Sequence, residues 1–196
     1  MAGSVARGTR EKILEACRRK LEEQGADVGM GEIAKAAGVS RQAVYLHFAN
    51  RAELLVATAR HADMAANVDE LLSASRGAPD GVSRLLAYLD AWAQLVPQIY
   101  PVARALLAMK ETDASAGAAW TDRMAAQRHG CQAAIDALEK DGHLVAGLSN
   151  RAAVDSLWTL MSVRNYEHWV MDCGWTVEAY RDELKRIASA AFIKAG

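Results

Sequence analysis

An all-α fold is predicted by three features of the sequence. Apolar residues recur at helical spacing, strict apolar/polar alternation is nearly absent, and Gly, Pro and Asx clusters punctuate the chain at helix-length intervals. Ala, Leu, Glu and Arg are abundant, while there are only two Phe and no β-branched runs. With 196 residues, 52% of them hydrophobic, the chain can build one large or two small cores. The punctuation suggests a small helical domain over 1–51 and a larger one over 52–196, about nine helices in all.

Residues 1–8, MAGSVARG, read as a frayed arm from which Arg7, with Arg10 just beyond it, could reach an anion. The first helix is expected from Thr9, as N-cap, to Gln24, with Ile13, Cys17 and Leu21 on its inner face and Gly25 as its stop. The next stretch, Met30 to Arg51, organises everything around it. Ile33, Ala34 and Ala37 give a short helix an apolar face, Gly38 suits a left-handed ending, and Ser40 can cap a second helix. That second helix points Val44 and Phe48 inward and leaves Arg41, Gln42, Tyr45 and His47 outside. This is a helix-turn-helix, whose second helix fits the DNA major groove. Arg41 and Gln42 lie in its first turn, where Arg–guanine and Gln–adenine pairing is favoured. Tyr45 and His47 are placed to donate to phosphates. A helical hairpin in an ordinary core, with solvated polar residues, is the plainer reading of the same spacing.

Residues 9–55 resemble the N-terminal DNA-binding domain of the TetR family of bacterial transcriptional regulators. The resemblance is carried by TREKILEACRRKLEEQG, EIAKAAGVS and AVYLHFANRAELL. It implies that Tyr45 and His47 touch phosphates, as does the basic residue opening the fourth helix, here Arg51. Three positions depart from the family pattern. Ala26 replaces an aromatic, Gly29 stands where a capping threonine commonly holds a phosphate, and Ala43 stands where threonine is frequent at the DNA surface. Arg41, Gln42, Ala43, Tyr45, His47 and Arg51 are therefore the expected DNA-facing set.

A fourth helix can run from Arg51 to about Ser75, ended by the clear break RGAPDG at 76–81. The body then opens with a helix from about Asp80 to Val96. Pro97 and Pro101 bracket a short gap before another helix ending near Lys110. After the loop ETDASAG, a helix from about Ala116 to Lys140 carries Trp120, Met124, Gln127, Cys131 and Leu138 at spacings of four, three, four and seven. Ser149 or Asn150 caps a helix to about Asp172, and after Cys173-Gly174-Trp175 the last helix runs from about Thr176 to Lys194. Tyr180, Leu184, Ile187, Ala188, Ala191 and Phe192 stripe this helix.

All five tryptophans lie in the body. Trp92, Trp120, Met124 and Trp158 could line an apolar cavity in which Gln127, Asn165 and Tyr166 orient a ligand; otherwise the aromatics fill the core. In the family resembled, this region usually binds a small inducer and the last two helices usually pair with those of a second subunit. On that basis Arg164, His168, Tyr180, Leu184, Ile187 and Ala191 are the expected dimer contacts.

The net charge of −1 hides an asymmetry, with nine Lys/Arg against six Asp/Glu in residues 1–51 and an acidic remainder, which suits a module meeting polyanion at one end. Cys17, Cys131 and Cys173 form no CxxC, no signal-peptide pattern is read, and no apolar run approaches a membrane span. A cytoplasmic protein with free thiols is expected. His129 and Cys131 point to different sides of a helix, and His143 lies twelve residues on, so no metal site is expected. No carboxylate pair, nucleophile constellation or phosphate loop is evident, and neither enzymatic activity nor a cofactor is expected. The leading expectation is a homodimeric, ligand-responsive regulator, a repressor bound to a palindromic DNA operator and released by a small apolar or aromatic ligand. The alternative is a helical small-molecule- or protein-binding module whose helix-turn-helix is structural.

Overall fold

The computed structural model describes residues 2–194, with side chains from residue 8 onward. Among the described residues there are eleven α-helices and one π-helical turn. They are α1 (Ala2–Gln24), α2 (Met30–Ala37), α3 (Arg41–His47), α4 (Arg51–Ala65), α5 (Val68–Leu71), α6 (Ser73–Arg76), α7 (Gly81–Met109), α8 (Ala114–Lys140), α9 (Asn150–Leu160), α10 (Val163–Tyr166) and α11 (Val177–Phe192). The π turn, Glu167–Asp172, follows α10 directly. The all-α expectation holds, and among the described residues only an isolated bridge, Leu144 to Ile193, has extended pairing.

The helices pack as two compact units. One comprises Met1–Ala66 with Gln98–Asp122, the other Asn67–Pro97 with Arg123–Gly196. In the first, Ile13, Cys17 and Leu21 of α1 meet Ile33 of α2, Val44 of α3 and Leu54 and Leu55 of α4. Val102 and Leu106 of α7 and Ala116 of α8 close this core. In the second, buried Leu85, Leu89 and Trp92 of α7, Ile135 and Leu138 of α8, Val154 and Leu157 of α9 and the stripe Tyr180, Leu184, Ala188 and Phe192 of α11 lie inside.

Several helix ends follow the predicted chemistry. Gly38 sits at φ 68°, and the amides of Gly38 and Val39 return to the carbonyls of Lys35 and Ala34. Ser40 caps α3 by accepting from the Ala43 amide at 3.1 Å. Ser149 caps α9 and Thr176 caps α11 in the same way.

Elsewhere the boundaries differ. The helix expected to start at Thr9 is continuous from Ala2, because Ala, Val and Arg propagate a helix already nucleated and Gly8 costs only about 1 kcal/mol. The side chain of Arg7 lies outside the described residues. α4 stops at Ala65 rather than near Ser75, because Asn67 takes the left-handed conformation at φ 47°, which asparagine tolerates better than most residues. Pro97 and Pro101 lie inside the single helix α7. Each forfeits a main-chain bond, but Val96, Tyr100 and Val102 beside them are buried, and burial at about 1.5–3 kcal/mol per large side chain outweighs the loss. The helix expected to reach Asp172 breaks after Leu160, where Ser162 caps α10 by accepting from the Asn165 amide at 3.2 Å.

Burial also sets the behaviour of two thiols. Desolvation pushes Cys17 up to about 11 and Cys131 up to about 12, from an ordinary 9.0. Folding is therefore favoured while both states hold these thiols neutral. That contribution is lost as pH rises through 9, where the unfolded chain ionises, toward 11–12, where the folded one does. The urea midpoint should stay level up to pH 9 and fall above it. At pH 8 a thiol reagent should label exposed Cys173 while Cys17 and Cys131 react only after unfolding.

Candidate functional site

The outward face of α3 is built by what its inner face buries. Val44 is wholly buried and Phe48 is 1% exposed. At Phe48 the chain turns extended, which ends the helix after two turns. Arg41, Gln42, Tyr45 and Leu46 are exposed, and Ala43 and His47 are half-buried. Arg41 donates to the Tyr45 hydroxyl at 3.4 Å, and its guanidinium carbon lies 5.7 Å from the centre of that ring. The pair, one turn apart, holds a cation and a phenol together at the surface. Arg10 of α1 sits over the Phe48 ring at 5.2 Å, bracing the end of α3.

Leu46 is 81% exposed, an apolar side chain standing among polar neighbours. Sequence reading passed over it. The signal was its position four residues after Gln42, off the Val44–Phe48 stripe.

Arg51 does not join this face. Its Nε donates to the Val28 carbonyl at 3.1 Å, one Nη donates to the Ala26 carbonyl, and the other reaches Met109 Sδ at 2.8 Å. The expected phosphate-binding residue is turned inward, onto the loop between α1 and α2. The reason is local. At the first position of α4 a cation meets the positive end of the helix dipole, and two main-chain carbonyls that need donors lie within reach.

The candidate ligand residues separate. Trp120 packs against the core of the first unit and is not among the aromatics of the second. Trp92 is 6% exposed and donates its indole N–H to the Tyr180 hydroxyl at 2.9 Å, as core filling. Asn165 spends its amide N–H groups on the Thr159 and Leu160 carbonyls, finishing α9. Tyr166 is buried edge-on to Tyr180, ring centres 5.4 Å apart. Met124 is half-buried. Gln127 and Trp158 remain distinct, because Gln127 Oε1 and Trp158 Nε1 are buried without a hydrogen-bond partner. Among the described residues no group of His, Cys, Asp or Glu could hold a metal.

Of the expected dimer contacts, Tyr180 and Leu184 are fully buried within the second unit, because α11 turns its 180-184-188-192 stripe inward. Arg164, His168 and Ala191 are exposed and Ile187 is half-buried. Near them Trp175 stacks on Trp169 at 5.7 Å, and Met171 and Trp175 are 56% and 39% exposed.

The profile of the family described as "Bacterial regulatory proteins, tetR family" matches residues 13–58. The HTH-type transcriptional regulator AcrR of Shigella flexneri is 46% identical over 50 residues, which is 25% of this chain and 23% of that protein. In fold, the chain is similar to a Saccharomonospora viridis transcriptional regulator in complex with choline. That likeness has a TM-score of 0.81 at 17% identity and covers 95% of this chain and 98% of the other. It is also similar to the Bacillus subtilis regulator FadR in complex with stearoyl-CoA, with a TM-score of 0.73 at 16% identity over 91% and 96% of the two chains. Among the described residues no helix is long and apolar enough to cross a membrane. Residues 13–58 therefore match the tetR family of bacterial regulatory proteins, and over nearly its whole length the chain has a fold similar to that of the solved structures named above.

Proposed function

We propose that this protein is a homodimeric repressor in which residues 1–51 read a near-palindromic operator and residues 52–196 bind a small ligand that releases it. The observation that carries the reading is the outer face of α3, where Arg41, Gln42, Tyr45 and Leu46 stand exposed over a buried Val44 and Phe48. Arg41 and Gln42 contact base edges, Leu46 lies against a thymine methyl, and Tyr45 and His47 hold phosphates. Two copies related by a two-fold axis would set two α3 helices about 34–36 Å apart. The accessible members of the proposed interface are Arg164, His168, Ile187 and Ala191, beside exposed Met171 and Trp175.

Regulators of similar fold hold choline and stearoyl-CoA, so the fold alone does not fix the ligand. In this chain the orphaned polar atoms of Gln127 and Trp158, in the same unit as Met124, point to an apolar ligand carrying a polar group. Such a ligand acts through its difference in affinity between two conformers, for which a coupling of about 1–3 kcal/mol is ordinary.

Enrichment of a DNA library by the purified chain, repeated across a salt series, tests the reading. A near-palindromic consensus with steep salt dependence is expected. Gln42→Ala should relax preference at one base position, and Arg41→Ala should cost about 1–3 kcal/mol at its own position. Tyr45→Phe should weaken all sequences about equally. No enrichment at any salt would return the helix-turn-helix to a structural role.

A further inference from the structure

Steep salt dependence requires cations on phosphates, because it is the neutralised phosphate that gives up its counterion. Several anchors expected from the sequence do not supply one. Gly29 and Ala43 carry no hydroxyl, and Arg51 is turned onto the Ala26 and Val28 carbonyls. Tyr45 brings a phenol and His47 an imidazole, neither of them a permanent cation. Most cations of α1 are already committed. Arg18 is bonded to Glu15 and Glu22, Arg19 donates to the Ala36 carbonyl at 3.2 Å, and Lys20 holds Glu23 at 2.6 Å. Arg10 is different, being exposed and, among the described residues, paired with no carboxylate.

What Arg10 does touch fixes its place. Its guanidinium carbon stands 5.2 Å from the centre of the Phe48 ring, and the His47 ring stands 6.3 Å from that same centre at an angle of 49°. Phe48 is 1% exposed and closes α3, its amide donating to the Val44 carbonyl at 3.0 Å. A cation from α1 and an imidazole from α3 therefore converge on one buried ring at the end of the helix. Lying over a ring uses the charge of a guanidinium and leaves its N–H donors free to bond outward. With the first turn of α3 on base edges, the far end of this seven-residue helix lies about 10 Å along, at the edge of a groove about 12 Å wide. That edge is lined by phosphate.

We infer that Arg10 belongs to the DNA-facing surface of α3, and that its guanidinium, laid on Phe48, donates to a backbone phosphate on the strand that His47 meets. This rests on the reading of α3 as the DNA-binding helix, and it adds the cation that Arg51 withholds. A phosphate contact sets affinity and register and carries no base preference. The test is binding of the full chain to its enriched operator and to an unrelated duplex, over about 50 to 200 mM salt. Arg10→Met keeps an unbranched apolar cover on Phe48 and removes the charge. It should flatten the slope of log affinity against log salt by about 0.9 and weaken both duplexes alike, by about five- to tenfold near 0.1 M salt. Arg10→Lys should keep the slope. Arg10→Gln is a second neutral variant, and urea midpoints of both show which is folded, so a folding defect in one leaves the other to decide. An unchanged slope in a folded neutral variant would overturn the inference and leave Arg10 as a brace for Phe48. An unaltered chain that enriches no sequence at any salt would sink the reading of α3 itself. Operator enrichment with a slope indifferent to Arg10 would sink only this inference.

Discussion

Gly81→Ala is expected to lower the stability of the protein by about 2–4 kcal/mol, read as a shift of the urea midpoint at unchanged slope. Helix propensity alone predicts the opposite sign, a gain of up to about 1 kcal/mol for replacing glycine in a helix. Space decides it. Gly81 begins α7 against the end of α8, and a β-carbon there would stand 2.5 Å from both Cα and N of Leu138 and 2.6 Å from the carbonyl carbon of Ala137. These are main-chain atoms of a helix and cannot swing aside as a side chain can. The Gly81 amide is also held by Asp141 Oδ2 at 2.7 Å, so moving the start of α7 to relieve the clash breaks that bond. Gly31→Ala in α2 is the control, because nothing lies within 4 Å of its β-carbon position, and there the propensity term should appear as a small stabilisation. Equal midpoints for the two variants would show that the start of α7 yields more easily than this contact implies.

The same contest between local preference and packing separates what could be read in the sequence from what could not. Helix starts and stops written in local chemistry were legible. Ser40, Ser149 and Thr176 cap as their hydroxyls suggest, and Gly25 and Gly38 take left-handed turns. Pro97 and Pro101 were misleading, because their local penalty is real but is outweighed by burial that only the tertiary structure supplies. The outward residues of α3 were legible because a two-turn helix with Val44 and Phe48 inside has only one way to face. The aromatic body was not. A tryptophan at helical spacing carries no mark of which neighbours it meets, so Trp92 in its bond to Tyr180, Trp120 in the first unit and Trp158 with its idle N–H look alike on the page. For α11 the 180-184-188-192 stripe was correctly seen as apolar. An apolar stripe fits the inside of one chain and the contact between two equally well, and Tyr180 and Leu184 serve the former.

Arg51→Ala is the second large effect expected, and its sign on DNA binding separates two roles for one cation. If Arg51 served a phosphate, its loss would weaken all DNA sequences alike and flatten the salt slope by about 0.9. The side chain instead spends Nε on the Val28 carbonyl, one Nη on the Ala26 carbonyl and the other on Met109 Sδ. Removing it leaves two carbonyls of the α1–α2 loop without donors and strips cover from Met109 near the end of α7. A hydrogen bond from a charged group contributes about 1.5–3 kcal/mol, so a destabilisation of about 2–4 kcal/mol is expected. Arg51→Lys should recover little, because one ammonium cannot span acceptors that the planar guanidinium reaches in three directions. Measured well below the lowered melting temperature, DNA affinity should then fall through misplacement of α2 and α3 while the salt slope stays that of the unaltered protein. A slope reduced by about 0.9 in a stably folded Arg51→Ala variant would instead assign the remaining guanidinium N–H groups to a phosphate. An unaltered midpoint would show that the loop holds its shape without the clamp. The expected pair of results, a large loss of stability with an unchanged slope, makes Arg51 the residue that fixes the helix-turn-helix to the start of α4 and to α7, and leaves contact with DNA to the outer face of α3.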